Sequence, residues 1–392
     1  MSASSAPPPP PLDALELVHV LVLFRHGDRS PLSRNLGAHL SMDAAEAQFW
    51  VGTLASMDDI VSLARGTRIV NARDELEAPP SPRHGGRWPC GQLTSKGVRE
   101  MRAKGAALRD RYATFVAGLD PVRDVYVEST NVRRTIRSAQ SVLSGLFPSL
   151  FVATASRAAE RDESRVVTIR ADAHSSIAPT HSYGLYDDLG TLLADDLRHR
   201  APKGLAEATR VVRQIVGVPE GKRVPWTGLR EVLTCRREHG LPFPAGLSPE
   251  LFEQICGLDA WLWHALYSKR DFCHGSFHSG VERLHAHLSA VAAGASPFKL
   301  SLFSGHDNSL VALAAALELQ LPPFIPAYGA MVTFEVYAHR ATGALFVRPL
   351  YEGREAPFTT HAHAALCPFE HFERAARRFM QHTPCSTATS AL

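Results

Sequence analysis

The sequence predicts an α/β fold built on a mostly parallel sheet. Three apolar runs of strand length recur along the chain, each ends in ionisable or cap-type residues, and two of them pass at once into a helical pattern. Strands buried in α/β sheets read as short apolar runs, and ligands bind outside their carboxyl ends. Three strand ends rich in charged groups therefore point to one site.

The first run, residues 17–24, feeds into Arg25-His26-Gly27-Asp28-Arg29-Ser30-Pro31. Arg25 and Arg29 are planar donors suited to phosphoryl oxygens. Gly27 lets a ligand approach the backbone, and His26 can act as nucleophile or base. Taken alone, the same residues also read as a basic turn that solvates a strand end. Residues 43–64 read as a helix, and residues 79–91 as a loop rich in Pro and Gly. The second run is Val125-Tyr126-Val127, followed by Glu128 and the cap-type residues Ser129, Thr130 and Asn131. An amphipathic helix carrying Arg134 then continues to about Leu146. The third run, residues 300–305, ends in His306-Asp307, and an apolar helix with Leu310, Val311, Leu313, Ala314 and Leu317 begins there. By itself that pair is a helix cap. Helix N-termini also favour anions. Together the three ends supply three arginines, two histidines and a carboxylate, the composition of a phosphomonoester site.

Residues 178–294 are largely helical in pattern, with helices expected over 185–197, 205–216, 249–267 and 280–293. Trp261, Trp263 and Tyr267 fall on one of these and read as core. Cys273, His274, His278, His285 and His287 match no zinc spacing, and His285 and His287 do not share a helix face. His361 and His363 read as solvated loop residues. No metal site and no cofactor are expected.

At 392 residues and roughly 150 per domain, two or three structural units are expected. A hydrophobic content of 45% supports a large core, and a net charge of +3 with no basic stripe gives no support for nucleic-acid binding. No apolar run approaches the roughly 18–20 residues of a spanning helix. Five successive prolines, Pro7 to Pro11, favour an extended polyproline leader. The start shows no basic and apolar signal pattern, and the tail from residue 383 reads as disordered.

These motifs resemble the histidine acid phosphatases, the acid phosphatase and phytase branch of the histidine phosphatase superfamily. The signature Arg-His-Gly-x-Arg-x-Pro is present at residues 25–31, a Ser-Thr-x-x-x-Arg-Thr element at 129–135, and the distal His-Asp pair at 306–307. Gly91-Gln92-Leu93-Thr94 with Gly97, Thr333 to Tyr337, and Leu366-Cys367-Pro368-Phe369 match secondary elements. The resemblance covers roughly residues 15–380 and is closest to the prostatic, lysosomal and lysophosphatidic acid phosphatases. It implies a three-layer α/β core (15–177 and 295–382) with an inserted helical cap (178–294), between a leader (1–14) and a tail (383–392). It also implies a metal-independent phosphomonoester hydrolase working through a phosphohistidine on His26. Arg25, Arg29, Arg134 and His306 would bind phosphate, and Asp307 would be the general acid. The expected partner is a small phosphomonoester, and a homodimer is left open. Asn131 stands where the family usually has aspartate, and Glu128 where a basic residue is common.

Secreted members use disulfides. Cys235 matches a bridged position, but the expected partner falls at Met331. Cys367 lacks its neighbour, which here is His363. With no signal pattern, this points to a reducing, cytoplasmic location. Two other readings stay open: a phytase-like hydrolase, which needs a cationic rim beyond Arg236-Arg237, and an idle phosphate-binding scaffold.

Overall fold

The computed structural model describes residues 10–73, 75, 77, 82, 85–152, 165–172, 174–180, 193–361 and 365–383. Its strands are β1 (Leu15–Arg25), β2 (Asn35–Gly37), β3 (Leu40–Ser41), β4 (Thr67–Asn71), β5 (Val125–Thr130) and β6 (Val167–Asp172), followed by β7 (Leu300–Gly305), β8 (Met331–His339), β9 (Leu345–Tyr351), β10 (Arg354–Glu355) and β11 (Cys367–Pro368). The main sheet has the order β10-β9-β8-β1-β7-β5-β6-β4, with β11 on β9. From β1 to β4 every pairing is parallel, and β8 and β9 add an antiparallel side.

Side chains of β1 alternate between two apolar cores. Val20, Val22 and Phe24 join Val125, Val127, Val167, Ile169, Leu300 and Leu302 on one face, under the helices Ser95–Arg111 and Arg133–Leu146. Leu21 and Leu23 join Phe303, Val332 and Phe334 on the other face. There they meet the helices Pro249–Tyr267, Arg270–Ala292, Asp307–Ala316 and Phe369–Met380, so the core has three layers. A strand segment buried on both faces is mostly apolar, which is why Val20 to Phe24 of β1 read as an unbroken run. A third, smaller core gathers Leu40, Val212, Val216, Leu229, Val232, Leu233, Phe252 and Ile255. It joins the helices Leu205–Val216, Trp226–Glu238 and Pro249–Tyr267 to β3.

Helices are found at the expected residues Leu205–Val216 and Pro249–Tyr267, and the Arg133–Leu146 helix ends where anticipated. Trp263 and Tyr267 are buried in the core, stacked with centroids 5.7 Å apart. The helix expected over 280–293 starts earlier, at Arg270, and of residues 185–197 only the part from 193 on lies within the described residues. The helix expected over 43–64 is two, Ala44–Thr53 and Met57–Arg65. The chain breaks because Ser56 starts a new helix with a capping box to Asp59, while Leu54 bridges Thr94. The Trp226–Glu238 helix was not anticipated, nor were β4 and β6. Of the leader, Leu12–Ala14 form one 3-10 turn; residues 1–9, 384–392 and His363 lie outside the described residues.

Candidate active site

Register places the three motifs side by side. Arg25 of β1 pairs with Gly305 of β7, and Ser304 of β7 pairs with Ser129 of β5. The carboxyl ends of three adjacent parallel strands are therefore level, and His26, Asn131 and His306 follow them directly. All six expected residues, Arg25, His26, Arg29, Arg134, His306 and Asp307, converge there.

His26 is buried, with its amide on the Gly305 carbonyl at 3.0 Å and its own carbonyl accepting from Gly329 at 3.1 Å. Its Nδ1 lies 2.8 Å from the Gly27 carbonyl oxygen. A carbonyl can only accept, so Nδ1 carries the proton and Nε2 keeps a lone pair. Burial, followed by the charges of Arg134, Arg29 and Arg25, pushes the imidazole well below its ordinary value. The ring is neutral, the form a nucleophile needs. Gly27 is required by space, since a Cβ there would sit 2.7 Å from Met101 Cγ and 2.9 Å from the Gly97 carbonyl oxygen. Asp28 points away from the site and is held by Thr94 Oγ1 at 2.5 Å and His239 Nε2 at 2.6 Å.

Arg25 lies with its guanidinium carbon 4.3 Å from the centroid of the Tyr328 ring. Its Nη1 donates to the Pro326 carbonyl at 2.5 Å, and Nη2 lies 3.2 Å from Asp307 Oδ2. Arg29 forms a buried ion pair with Glu231 of the Trp226–Glu238 helix. Burial alone would lower Arg29, but Glu231, with Tyr328 and Cys235, outweighs it and raises it. Arg134 has no such carboxylate. Its Nε and Nη1 are buried and have no partner among the described residues, and burial with Arg29 lowers it to about 9. It stays protonated at neutral pH with the Nε and Nη1 donors unused among the described residues. Buried polar groups are normally satisfied, so such an orphan marks a place for a ligand anion.

His306 is also neutral, lowered to about 3 by burial and then Arg134. Its Nε2 lies 3.1 Å from Thr130 Oγ1, which is 2.7 Å from Thr135 Oγ1. Burial would raise Asp307, but Arg25, Arg230 and Arg29 outweigh it and hold the carboxyl well below its usual range. Asp307 is thus a carboxylate, with Oδ1 accepting the Asn308 amide at 2.9 Å.

Sequence reasoning missed Glu231, Arg230, Asp259 and Tyr328. One signal was present: Asp259 stands in the apolar run Leu258-Asp259-Ala260-Trp261, and a carboxylate there must have a buried partner. That partner is Arg230, whose Nε donates to Asp259 Oδ2 at 2.7 Å. Glu128 is paired with Arg283 at 2.9 Å and accepts from Tyr126 Oη at 2.6 Å, so its charge is answered away from the phosphate-binding groups. Among the described residues no group of three or more His, Cys, Asp or Glu side chains could hold a metal ion. No described helix is long and apolar enough to cross a membrane.

Residues 16–188 match the model of the histidine phosphatase superfamily, branch 2. The human testicular acid phosphatase is 28% identical over 93% of this chain and 80% of its own length. The bovine lysophosphatidic acid phosphatase type 6 is 26% identical over 91% and 82%. The bovine lysosomal acid phosphatase is 26% identical over 76% and 72%. In structure, the phytase of Hafnia alvei in its apo form covers 94% of this chain and 98% of its own with a TM-score of 0.59 at 13% identity, a likeness of fold.

These relatives overturn the cytoplasmic location expected from the sequence, since they are lysosomal and testicular acid phosphatases. The cysteine argument fails for a physical reason. Cys90, Cys235, Cys273 and Cys367 are free and buried. Burial raises Cys273 and Cys367 to about 12, so the oxidisable thiolate is absent at neutral pH. Free thiols of this kind do not report a compartment.

Proposed function

We propose that the chain, matched over residues 16–188 by the histidine phosphatase superfamily model and similar along most of its length to acid phosphatases, hydrolyses phosphomonoesters through a phosphohistidine formed on Nε2 of His26. The tautomer carries this reading: Nδ1–H is committed to the Gly27 carbonyl, which leaves Nε2 to attack phosphorus among three arginines. Hydrolysis is then split into two easier displacements. Arg25, Arg29, Arg134 and His306 hold the non-bridging oxygens as charge shifts, which is most of what phosphoryl transfer requires. The donor set supplies this charge without a metal or cofactor.

Asp307 protonates the leaving oxygen and then takes a proton from the attacking water. Arg25, Arg230 and Arg29 hold it as a carboxylate, and a bound phosphate dianion reverses that balance. The dianion draws Arg25 toward itself and, as a like charge, favours the protonated carboxyl. A polyanionic, phytase-like substrate finds less support. Arg236 pairs with Glu46 at 2.7 Å and Arg237 with Glu253 at 3.0 Å, so the rim cations anticipated for it are already neutralised.

Rapid quenching with a radiolabelled phosphomonoester tests the assignment. The wild type should show acid-labile, base-stable label and should turn over in excess chelator. His26→Ala should show neither label nor turnover. Label that survives the substitution refutes the nucleophile, and activity that returns only with added metal refutes the metal-free reading.

A further inference from the structure

Asp307 is held by a cation that none of the three motifs supplies. Arg230 reaches into the site from the Trp226–Glu238 helix, and its Nη2 donates to Asp307 Oδ2 at 3.3 Å. The same oxygen meets Arg25 Nη2 at 3.2 Å. The two arginines differ in what else they can do. Arg25 has no carboxylate but Asp307 among the described residues, so a phosphate oxygen can compete for its Nη2 while Nη1 stays on the Pro326 carbonyl. Arg230 is anchored from behind by Asp259, which is fully buried and whose Oδ1 accepts from Thr227 Oγ1 at 2.6 Å.

We propose that Arg230 is a positioning residue which, anchored by Asp259, keeps Asp307 in place as a carboxylate between turnovers and sets the pH at which Asp307 changes from base to acid. The proposal rests on the reading of Asp307 as the general acid and base.

The charged groups around Asp307 come from every element packed there. Arg25 and Arg29 belong to β1 and the loop after it, Arg230 and Asp259 to the two helices above, and His306 to the same helix start. Arg134 interacts with Asp307 from the Arg133–Leu146 helix, and Tyr328 covers Arg25. His306 is neutral, and a bound phosphate dianion offsets Arg25, Arg29 and Arg134. The influence of Arg230 persists in the substrate complex because Asp259 prevents it from following the phosphate. An opposite charge at this range shifts a carboxyl by about 1–3 pH units, and Asp259 offsets part of it, leaving about one unit.

The sign can be followed in both chemical steps. Phosphorylation by an alkyl phosphate needs protonated Asp307, so its rate falls as pH rises through the Asp307 transition. Hydrolysis of the phosphohistidine needs ionised Asp307, so its rate falls as pH drops through the corresponding transition. Rapid-quench rates with an alkyl phosphate, and the post-burst rate with an activated aryl phosphate, read the two limbs separately. Arg230→Gln, which removes the cation and leaves the opposing Asp259 charge, should move both limbs up by about 1–3 pH units. Arg230→Lys should leave them near wild type. Asp259→Asn, whose side-chain oxygen can still accept from Arg230 and keep it anchored, should move them down, because the charge of Arg230 is then no longer offset.

A role in packing alone would lower rates without moving the limbs. Unmoved limbs in Arg230→Gln, or limbs that move the same way in Arg230→Gln and Asp259→Asn, overturn the proposal. If the unpaired Asp259 keeps Arg230→Gln from folding, the double variant Arg230→Gln/Asp259→Asn replaces both charges with neutral hydrogen-bonding groups. Its limbs should still lie above those of wild type, and limbs at the wild-type pH overturn the proposal. A wild type whose phosphorylation limb is the same for both leaving groups refutes instead the reading of Asp307.

Discussion

Replacing Glu231 by glutamine should weaken the fold and tighten the grip on phosphate at once. The Arg29 and Glu231 side chains are only 3% and 4% exposed, so solvent does little to screen their pairing. Removing one charge from a buried pair costs about 3–5 kcal/mol. The glutamine amide oxygen can still accept from Arg29 and from the Leu32 amide, which Glu231 Oε1 accepts at 2.9 Å. That places the loss near the lower end, about 3 kcal/mol. The substitution also removes a negative charge about one guanidinium away from bound phosphate. At about 8 Å and an effective dielectric near 20, a unit charge is worth about 2 kcal/mol. Competitive inhibition by inorganic phosphate should therefore strengthen by at least about tenfold, the equivalent of about 1.4 kcal/mol. Urea unfolding reads the first effect, and the inhibition constant reads the second. A variant that loses stability while phosphate inhibition stays the same or weakens would show that Glu231 does not oppose the anion, and the electrostatic account of Arg29 would be wrong.

Asp307→Asn should slow phosphorylation by an alkyl phosphate about 10²–10⁴-fold and affect an activated aryl phosphate far less; equal slowing of both in burst kinetics refutes the general-acid role. Stability should fall on the acid side of neutrality, because burial holds His19 at about 3 and His287 at about 4 while the unfolded chain titrates near the ordinary 6.5. Below that value the unfolded state binds more protons, so each histidine removes up to about 1.4 kcal/mol per pH unit as pH falls toward about 4. A urea midpoint that does not change over this range refutes the neutral burial of the pair.

What the sequence disclosed followed from physical necessity. A parallel strand buried on both faces is dominated by apolar residues, and the charged residues after it lie at its carboxyl end. Arg25, His26, Arg29, Arg134, His306 and Asp307 were legible for that reason. The Trp226–Glu238 helix was not legible, because part of its buried surface carries Arg230 and Glu231 in place of an apolar stripe. Hydrophobic periodicity has no signal for a face whose partners are charges on other elements. The break at Leu54 to Ser56 was hidden similarly, since a serine inside a helical pattern shows its capping role only when a distant residue, here Thr94, bridges the preceding turn. Even the ionisation of Asp307 rests, after Arg25, on Arg230, 77 positions away in sequence.

The level ends of β1, β5 and β7 divide the labour of substitution in this molecule. The relative heights of the nucleophile and of the residue pair facing it are set by main-chain hydrogen bonds between strands, from Val20–Leu300 through Arg25–Gly305. An exchange of one apolar side chain for another in either core changes the free energy of folding but leaves that ladder, and so the spacing of the reacting groups, in place. Only a slip of register would move them, and a slip by a single residue would turn Val20, Val22 and Phe24 to the wrong face. Drift in the layers and constancy at the strand ends are thus two results of one arrangement of the backbone.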